Sequence, residues 1–113
     1  MISAFNFALS GLNAAANRVS VAAKNIVNVH TPGYESDRAH QVSTPAGPAV
    51  IIEPGRPGGY PANITPPSPP TPSDVNLAGE FVDLKLAEIS YKASIAVLKT
   101  ADEMEDSLLD IMS

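Results

Sequence analysis

Residues 12–34 read LNAAANRVSVAAKNIVNVHTPGY, an alanine-rich helical pattern that ends at a Thr-Pro-Gly-Tyr turn. Larger apolar residues recur upstream and through it at alternating steps of three and four: Ile2, Phe5, Leu9, Leu12, Ala16, Val19, Ala23 and Ile26. This heptad spacing is typical of a helix that packs against other helices. Because Pro32 and Gly33 oppose continuation past Thr31, we predict one helix from about Ser3 to Asn28.

A line of small residues lies one step beside this apolar seam. Ala8, Ala15 and Ala22 are spaced so that they share one side of the helix, where their size would let another backbone come close. Gly11 lies inside the helix and costs roughly 1 kcal/mol relative to alanine. It marks either a close helix crossing or a tolerated glycine on an exposed side, and the sequence leaves both interpretations open.

A second long helix is predicted near the carboxyl terminus, starting at about Asn76. Asp74 or Asn76 is suited to cap its first turn, and Glu80 lies favourably near its positive end. One apolar stripe comprises Leu86, Ile89, Ala93, Val97, Ala101, Met104, Leu108 and Ile111, and a second comprises Phe81, Leu84, Tyr91, Ile95 and Leu98. Because it has two apolar faces, this helix needs more than one neighbour.

The segment between the helices combines short strands with a proline-rich stretch. Arg38–Thr44 and Ala49–Glu53 have β character on either side of a Pro-Ala-Gly-Pro sequence, which predicts a small hairpin. Ten of the eleven prolines lie between Pro45 and Pro72, and their last run is predicted to be an extended spacer. The fold class is therefore mainly α, organised as residues 1–34, residues 35–73 and residues 74–113.

Composition excludes several classes of protein. The chain has 113 residues and no cysteine, so disulfides, zinc–thiolate sites and cysteine nucleophiles are excluded. A pI near 4.7 without a basic patch argues against nucleic acid as a partner. Residues 1–34 carry two basic residues and no acid, whereas residues 74–113 carry nine acids and three lysines. The two helices are thus complementary in charge, within one chain or between neighbours.

No arrangement of residues supports catalysis. His30 and His40 flank Glu35 and Asp37, but this segment lacks helical ligand spacing, and we interpret it as a solvated loop. There is no nucleophile elbow and no glycine-rich phosphate loop. We therefore predict that the protein is not an enzyme and that it uses no metal, no cofactor and no small-molecule substrate.

Motifs at both termini resemble those of the flagellar rod and hook axial proteins, in the same order. In that family the first helix ends in Asn-Ile-Ala-Asn and is followed by Thr-Pro-Gly-Tyr; here the corresponding residues are Asn25, Ile26, Val27, Asn28, Thr31, Pro32, Gly33 and Tyr34. The C-terminal segment is similar to the family's at Val75-Asn76-Leu77, Tyr91-Lys92-Ala93, Thr100-Ala101-Asp102-Glu103-Met104 and Leu108-Leu109. Val27, His30 and Glu88-Ile89-Ser90 depart from the usual residues and leave the particular rod position open.

The resemblance implies a structural subunit of the bacterial flagellar basal-body rod. Its terminal helices would pair as an antiparallel coiled coil and polymerise with further copies and with other rod and hook axial proteins. The short middle resembles that of a small proximal-rod-like member. The flagellar type III export apparatus would deliver the chain without cleavage of a signal peptide, and its opening segment lacks the basic region of such a signal.

We predict an assembly interface on the two helices and the turn: Phe5, Leu9, Leu12, Ala16, Val19, Asn25, Ile26, Asn28, Tyr34, Leu86, Ile89, Tyr91, Val97, Met104, Leu108 and Ile111. The alternative is a soluble helical adaptor or binding module, which would pair its own two helices and grip one partner.

Overall fold

The structure is a computed structural model that describes residues 2–59, residue 65 and residues 71–113. Its elements are helix α1 (Ile2–Val27), strands β1 (Arg38–Thr44) and β2 (Gly47–Glu53), and helix α2 (Leu77–Met112). The prediction of a mainly helical chain with a short hairpin is confirmed. The molecule is elongated, with principal extents of 74 × 23 × 20 Å. In the described residues, neither helix has an apolar stretch sufficient to cross a membrane.

The helix ends follow the local signals in the sequence. Helix α1 ends one residue before the predicted Asn28, whose side-chain amide donates to the carbonyl oxygen of Lys24 over 2.9 Å. Gly33 then adopts a φ of 72°, a conformation that favours glycine and turns the chain back. At the start of α2, Asn76 is the N-cap, since its side-chain oxygen accepts from the backbone N–H of Gly79.

The hairpin is antiparallel and lies along α1. Its register runs from Arg38 opposite Glu53 to Thr44 opposite Gly47, so β2 begins two residues earlier than predicted. Its tip is fixed to the helix because the Ser10 hydroxyl donates to the carbonyl oxygen of Ala46 over 3.1 Å.

Helices α1 and α2 lie side by side and antiparallel. Ala4 and Ala101 line the same groove, Gly11 faces Ser94, and Asn25 hydrogen-bonds Glu80. Contacts near one end of α1 are thus made to the opposite end of α2. The buried residues of this interface are small: Ala8, Ala15 and Ala22 on α1, and Ala87 and Ala101 on α2.

The intrachain interface therefore uses the line of alanines and not the larger apolar seam. Because alanine and glycine let the backbones approach closely, they take the side of α1 that faces α2. Gly11 marks a close crossing, since a Cβ built there would collide with the Ser94 hydroxyl. Of the larger seam, Ile2, Leu9 and Val19 are exposed. Coiled-coil packing of the two helices stays a prediction.

The hairpin covers another side of α1. Ala14 and Val21 are buried, and helical spacing places them on the side that carries Ser10 and Arg18. Both of these side chains bond to the hairpin, with Arg18 donating to Gln41 over 3.3 Å. Helix α1 is thus covered on two sides. Its larger seam is only partly open, since Ile2, Leu9 and Val19 are exposed whereas Phe5, Leu12 and Ile26 are half-buried.

The predicted polyproline run falls mostly on residues 66–70, which lie outside the described residues. The described segments on either side pack against the Thr-Pro-Gly-Tyr turn. The N–H of Gly33 donates to Thr71 over 2.8 Å, and the N–H of Gly59 donates to Pro32 over 2.7 Å. These segments are anchored through their backbone, and the extended spacer itself stays a prediction.

Candidate assembly site

Asn25 is the centre of a buried polar junction at the end of α1. Only 1% of the surface of Asn25 is exposed to solvent. The amide nitrogen donates to the carbonyl oxygen of Asp37 over 2.9 Å and to a Glu80 carboxylate oxygen over 3.0 Å. The amide oxygen accepts from the Tyr34 hydroxyl at 2.8 Å and from the N–H of Asp37 at 3.0 Å. Both donor hydrogens and both acceptor positions are therefore used.

The junction joins three parts of the chain. Asn25 belongs to α1, Asp37 directly precedes β1, and Glu80 lies in the first turn of α2. Among the described residues, no buried side-chain nitrogen or oxygen lacks a hydrogen-bond partner. Because buried polar groups are costly unless paired, this junction specifies one arrangement of helix, turn and hairpin.

Tyr34 is buried beneath a glycine-containing segment. Gly58 has a φ of 81°, and a Cβ there would lie 2.9 Å from the Tyr34 Cα. The segment can cross the tyrosine this closely because the residue is glycine. Burial raises the pKa of the Tyr34 hydroxyl, and the nearby Asp37 charge adds to this effect. The hydroxyl is therefore protonated at neutral pH and remains a donor to Asn25.

An ion pair between the exposed Lys24 and the buried Asp37 supports the junction. Lys24 Nζ lies 2.7 Å from Asp37 Oδ2, and the backbone N–H of Gly55 donates to Asp37 Oδ1 over 2.8 Å. The hydrogen bond from Lys24, followed by that from Gly55, lowers the pKa of Asp37. The same hydrogen bond raises the pKa of Lys24. Both partners are consequently charged at neutral pH.

The surroundings of Glu80 disfavour the charged form of its carboxyl group. Burial raises the pKa of its carboxyl group, and the nearby charges of Asp83 and Asp74 add to that effect. The hydrogen bond from Asn25 acts in the opposite direction. The Glu80 carboxylate thus accepts a hydrogen bond from Asn25 although burial and the nearby acids disfavour its charge.

Asn28 closes the helix end separately from this junction. Besides bonding the carbonyl oxygen of Lys24, its side-chain oxygen accepts from the Thr31 hydroxyl over 3.0 Å. The structure therefore brings Asn25 and Tyr34 into one cluster, whereas Asn28 makes local bonds one turn further on. Asn25 and Tyr34 are buried, so any effect of these two on a neighbouring subunit would come through positioning.

Most of the predicted assembly residues are exposed. The larger apolar ones that are exposed are Leu9, Val19, Leu86, Ile89, Tyr91, Val97, Met104, Leu108 and Ile111. Ala16 is also exposed, while Phe5, Leu12, Ile26 and Asn28 are half-buried. These side chains are available to a partner, but their contact with one stays a prediction.

Helix α2 extends beyond the start of α1. Ala4, Ala101 and Met104 line one groove near the first turn of α1, so the last turns of α2, after Met104, project past Ile2. Every residue from 102 to 112 is exposed. We call residues 105–112, which lie beyond this groove, the overhang.

Three neighbouring depressions follow one side of the helix pair. The first has a volume of about 130 Å³ and lies beside Pro48 at the hairpin tip. The second, of about 380 Å³, lies at Ala101. The third, of about 460 Å³, lies on the overhang at Leu108. The first two share Val97, and the last two share Met104. We call this surface the apolar groove.

Nothing in the sequence indicated that Lys24 and Glu80 belong to the junction. In the sequence, Asp37 was grouped only with His30, His40 and Glu35. In the structure, three of these four residues pair with residues outside the group. Asp37 pairs with Lys24, His40 with Glu53 at 3.1 Å, and Glu35 with Arg56 at 3.7 Å. Within the described part of the chain, no group of three or more such side chains could hold a metal ion.

The fold defines an elongated helical protein with large exposed apolar surfaces, and comparison with known families identifies its class. The family described as Flagella basal body rod protein matches residues 5–34. The family described as Flagellar basal body rod FlgEFG protein C-terminal matches residues 72–111. Together these matches cover more than half of the chain, which therefore belongs to the flagellar rod and hook protein family.

This family is structural rather than enzymatic, and it places the chain in the flagellar basal body rod. It also implies interaction with other flagellar rod and hook proteins. No curated protein matches the chain.

Proposed function

We propose that this chain is a structural subunit of the flagellar rod that polymerises through its terminal helices. One observation carries the proposal: alanines form the contact between α1 and α2, while most of the larger apolar side chains of the two helices are exposed. Monomeric proteins rarely leave long apolar surfaces open, and such surfaces mark interaction sites. A rod subunit, which is surrounded by neighbours on several sides, would cover them.

Energetics support an assembly role for these side chains. Full burial of one Leu, Ile or Met side chain contributes about 1.5–3 kcal/mol. Leu108 is 51% exposed, and the residues around it on the overhang are also open. Even partial coverage at several such positions would offset the loss of freedom when a subunit joins the rod.

The buried polar junction has a supporting role in this proposal. It fixes the chain exit from α1 and the position of the hairpin through Asn25, Tyr34 and Asp37. Each subunit would then present its stripes in the same geometry, which helical stacking requires. The short middle supports a small proximal-rod-like member, exported by the flagellar type III apparatus without signal cleavage. No small-molecule substrate, cofactor or nucleic acid is part of the proposed role.

A soluble adaptor is the second candidate, and the intrachain pairing of α1 with α2 favours it. An adaptor would remain a monomer or form a complex of fixed stoichiometry, and it would be absent from purified basal bodies. A rod subunit would be recovered in them.

Aspartate substitutions on the exposed stripes test the proposed function. Leu9→Asp and Leu108→Asp should each abolish motility in a strain that lacks the gene, because a charge buried in every repeated contact costs several kcal/mol. Asn17→Asp is the matched control, since Asn17 is exposed on α1 away from the larger seam. Secretion into the medium should persist for all three variants. Normal motility with either stripe variant would contradict the proposal.

A further inference from the structure

Methionine thioethers supply all of the sulfur in this chain. The sequence contains Met1, Met104 and Met112, and it has no cysteine and no tryptophan. Cysteine and methionine are the side chains whose sulfur hydrogen peroxide oxidises. Because cysteine is absent, peroxide chemistry on this protein is directed to its methionines.

Met104 lies inside the apolar groove. Its side chain lines both the depression at Ala101 and the depression at Leu108, so these two parts of the groove meet at this residue. Val97 and Ile111 line the groove on either side of it. Met104 is 55% exposed, and a small oxidant in solution therefore reaches its side chain in the free chain.

Met112 has a different setting and provides an internal comparison. It is the last residue of α2 and is 83% exposed, but it lines none of the three depressions of the groove. An oxidant reaches Met112 at least as readily as Met104. The two methionines thus differ in what surrounds them, and Met1 lies outside the described residues.

Oxidation would change the chemical character of the groove at Met104. The thioether sulfur attacks one oxygen of hydrogen peroxide, so that an S–O bond forms while the O–O bond breaks. The departing hydroxide takes up the proton of the transferred oxygen and leaves as water, so sulfur is oxidised and the peroxide is reduced. The product, methionine sulfoxide, is polar, whereas the thioether is a flexible apolar side chain.

We propose that Met104 is an oxidation site at which hydrogen peroxide prevents a free copy of the chain from entering the rod. The inference rests on the proposed function, because it takes the apolar groove to be covered in the assembly. A sulfoxide at Met104 carries a polar oxygen into that apolar contact, and a polar group buried without a partner opposes the burial. In the free chain the same oxygen stays in water, so the fold of the single copy is unaffected.

Glutamine substitution tests the site genetically, since glutamine places a polar oxygen on a side chain of similar length. In a strain that lacks the gene, Met104→Gln should lower recovery of the chain in basal bodies about tenfold, because each new contact would bury an unpaired polar group. Met104→Leu conserves the volume and apolar character of the side chain and should keep recovery normal. Met112→Gln is the matched control and should also keep it normal. Normal recovery of Met104→Gln would overturn the proposal.

The unfolding temperature separates an effect on assembly from an effect on folding. Purified Met104→Gln should unfold at the same temperature as Met112→Gln, because both side chains are exposed in the free chain. A marked fall confined to Met104→Gln would show that the substitution acts on the fold of the single chain, which would overturn the proposal equally.

Mass spectrometry of peroxide-treated cells tests the sulfoxide itself. The fraction of the chain that carries sulfoxide at Met104 should be about tenfold lower in basal bodies than in the unassembled chain of the same cells. The fraction at Met112 should be similar in the two pools. Equal fractions at Met104, or equal depletion at both methionines, would show that Met104 is not the selecting site.

Recovery of the parent chain separates failure of this inference from failure of the rod function. If the parent is recovered in basal bodies and Met104→Gln behaves like it, the oxidation site is wrong and the rod function stands. If the parent never enters basal bodies, the rod function itself is wrong, and the oxidation site is wrong with it.

Discussion

The Tyr34 hydroxyl donates a 2.8 Å hydrogen bond to the side-chain oxygen of Asn25, nine residues earlier in the chain. This bond ties the turn after α1 back to the last turn of the helix. The same oxygen accepts from the N–H of Asp37, which directly precedes β1. The two hydrogen bonds that the Asn25 side-chain oxygen accepts therefore position the hairpin along α1.

Removing the tyrosine hydroxyl should weaken this network without emptying the site. Tyr34→Phe keeps the buried ring but deletes one donor, so we expect a loss of about 1 kcal/mol in the free energy of unfolding. Urea unfolding followed by circular dichroism measures the change. Tyr91→Phe is the control, since Tyr91 is exposed and should tolerate it. Equal stability of the two variants would show that the Tyr34–Asn25 bond contributes nothing.

Removing the asparagine should cost more, because several groups depend on it. Asn25→Ala leaves the Tyr34 hydroxyl and the Asp37 N–H buried without an acceptor, at about 1–3 kcal/mol each. We expect the midpoint of urea unfolding to fall more than in Tyr34→Phe.

The control for Asn25 is Asn28→Ala, which removes bonds at a half-buried helix end. It should cost about 1 kcal/mol or less, because water can replace a partner there. A larger loss for Asn28 than for Asn25 would contradict the central position of Asn25 in the junction.

The limits of the helices and strands were predictable to within one or two residues because their signals are local. Pro32 and Gly33 end the first helix, Asn76 caps the second, and β-branched residues follow the hairpin turn. The side of α1 that faces α2 was not predictable from spacing. The alanine line and the larger seam share the same seven-residue repeat, so pattern alone cannot say which one the chain buries within itself.

The junction was only partly predictable. The sequence placed Asn25 and Tyr34, which are close in the chain, in one motif at the end of the first helix and in the predicted assembly interface. The bonds to Asp37 and Glu80 span 12 and 55 residues. Such partners depend on how the helices pack, and a single sequence contains no local signal for them.

Glu80 should make stability depend on pH. Its folded-state pKa is raised, mainly by burial, so the folded state is penalised when the pH is high enough to ionise the group. Glu80→Gln keeps an acceptor for Asn25 and removes this charge. We expect the variant to unfold at a higher temperature than the parent at neutral pH. The gain should shrink as the pH falls through the Glu80 pKa, where the parent becomes protonated.

Glu88 provides a control of opposite sign. Hydrogen bonding by Lys92, with further help from Lys85, lowers the pKa of Glu88. Its stabilising effect is present above the unfolded pKa and is lost as the pH falls through the lower folded pKa. Glu88→Gln should therefore lower the unfolding temperature at neutral pH. Shifts of the same sign in both variants would contradict the assigned environments.

Gly11 should tolerate a methyl group but no larger side chain. A Cβ at this position collides with the Ser94 hydroxyl, which can rotate away, while the Ser94 Cβ lies at an ordinary 3.5 Å. Gly11→Ala should therefore be close to neutral, because the gain in helix propensity, about 1 kcal/mol, offsets the adjustment. Gly11→Leu has no such room and should cost about 1–3 kcal/mol through overpacking. Ser94→Ala removes the obstructing hydroxyl, so it should make Gly11→Ala stabilising while rescuing Gly11→Leu only slightly. Urea unfolding of the three single variants and the two double variants measures these differences. Equal stability of Gly11→Ala and Gly11→Leu would show that the two helices do not cross closely at this glycine.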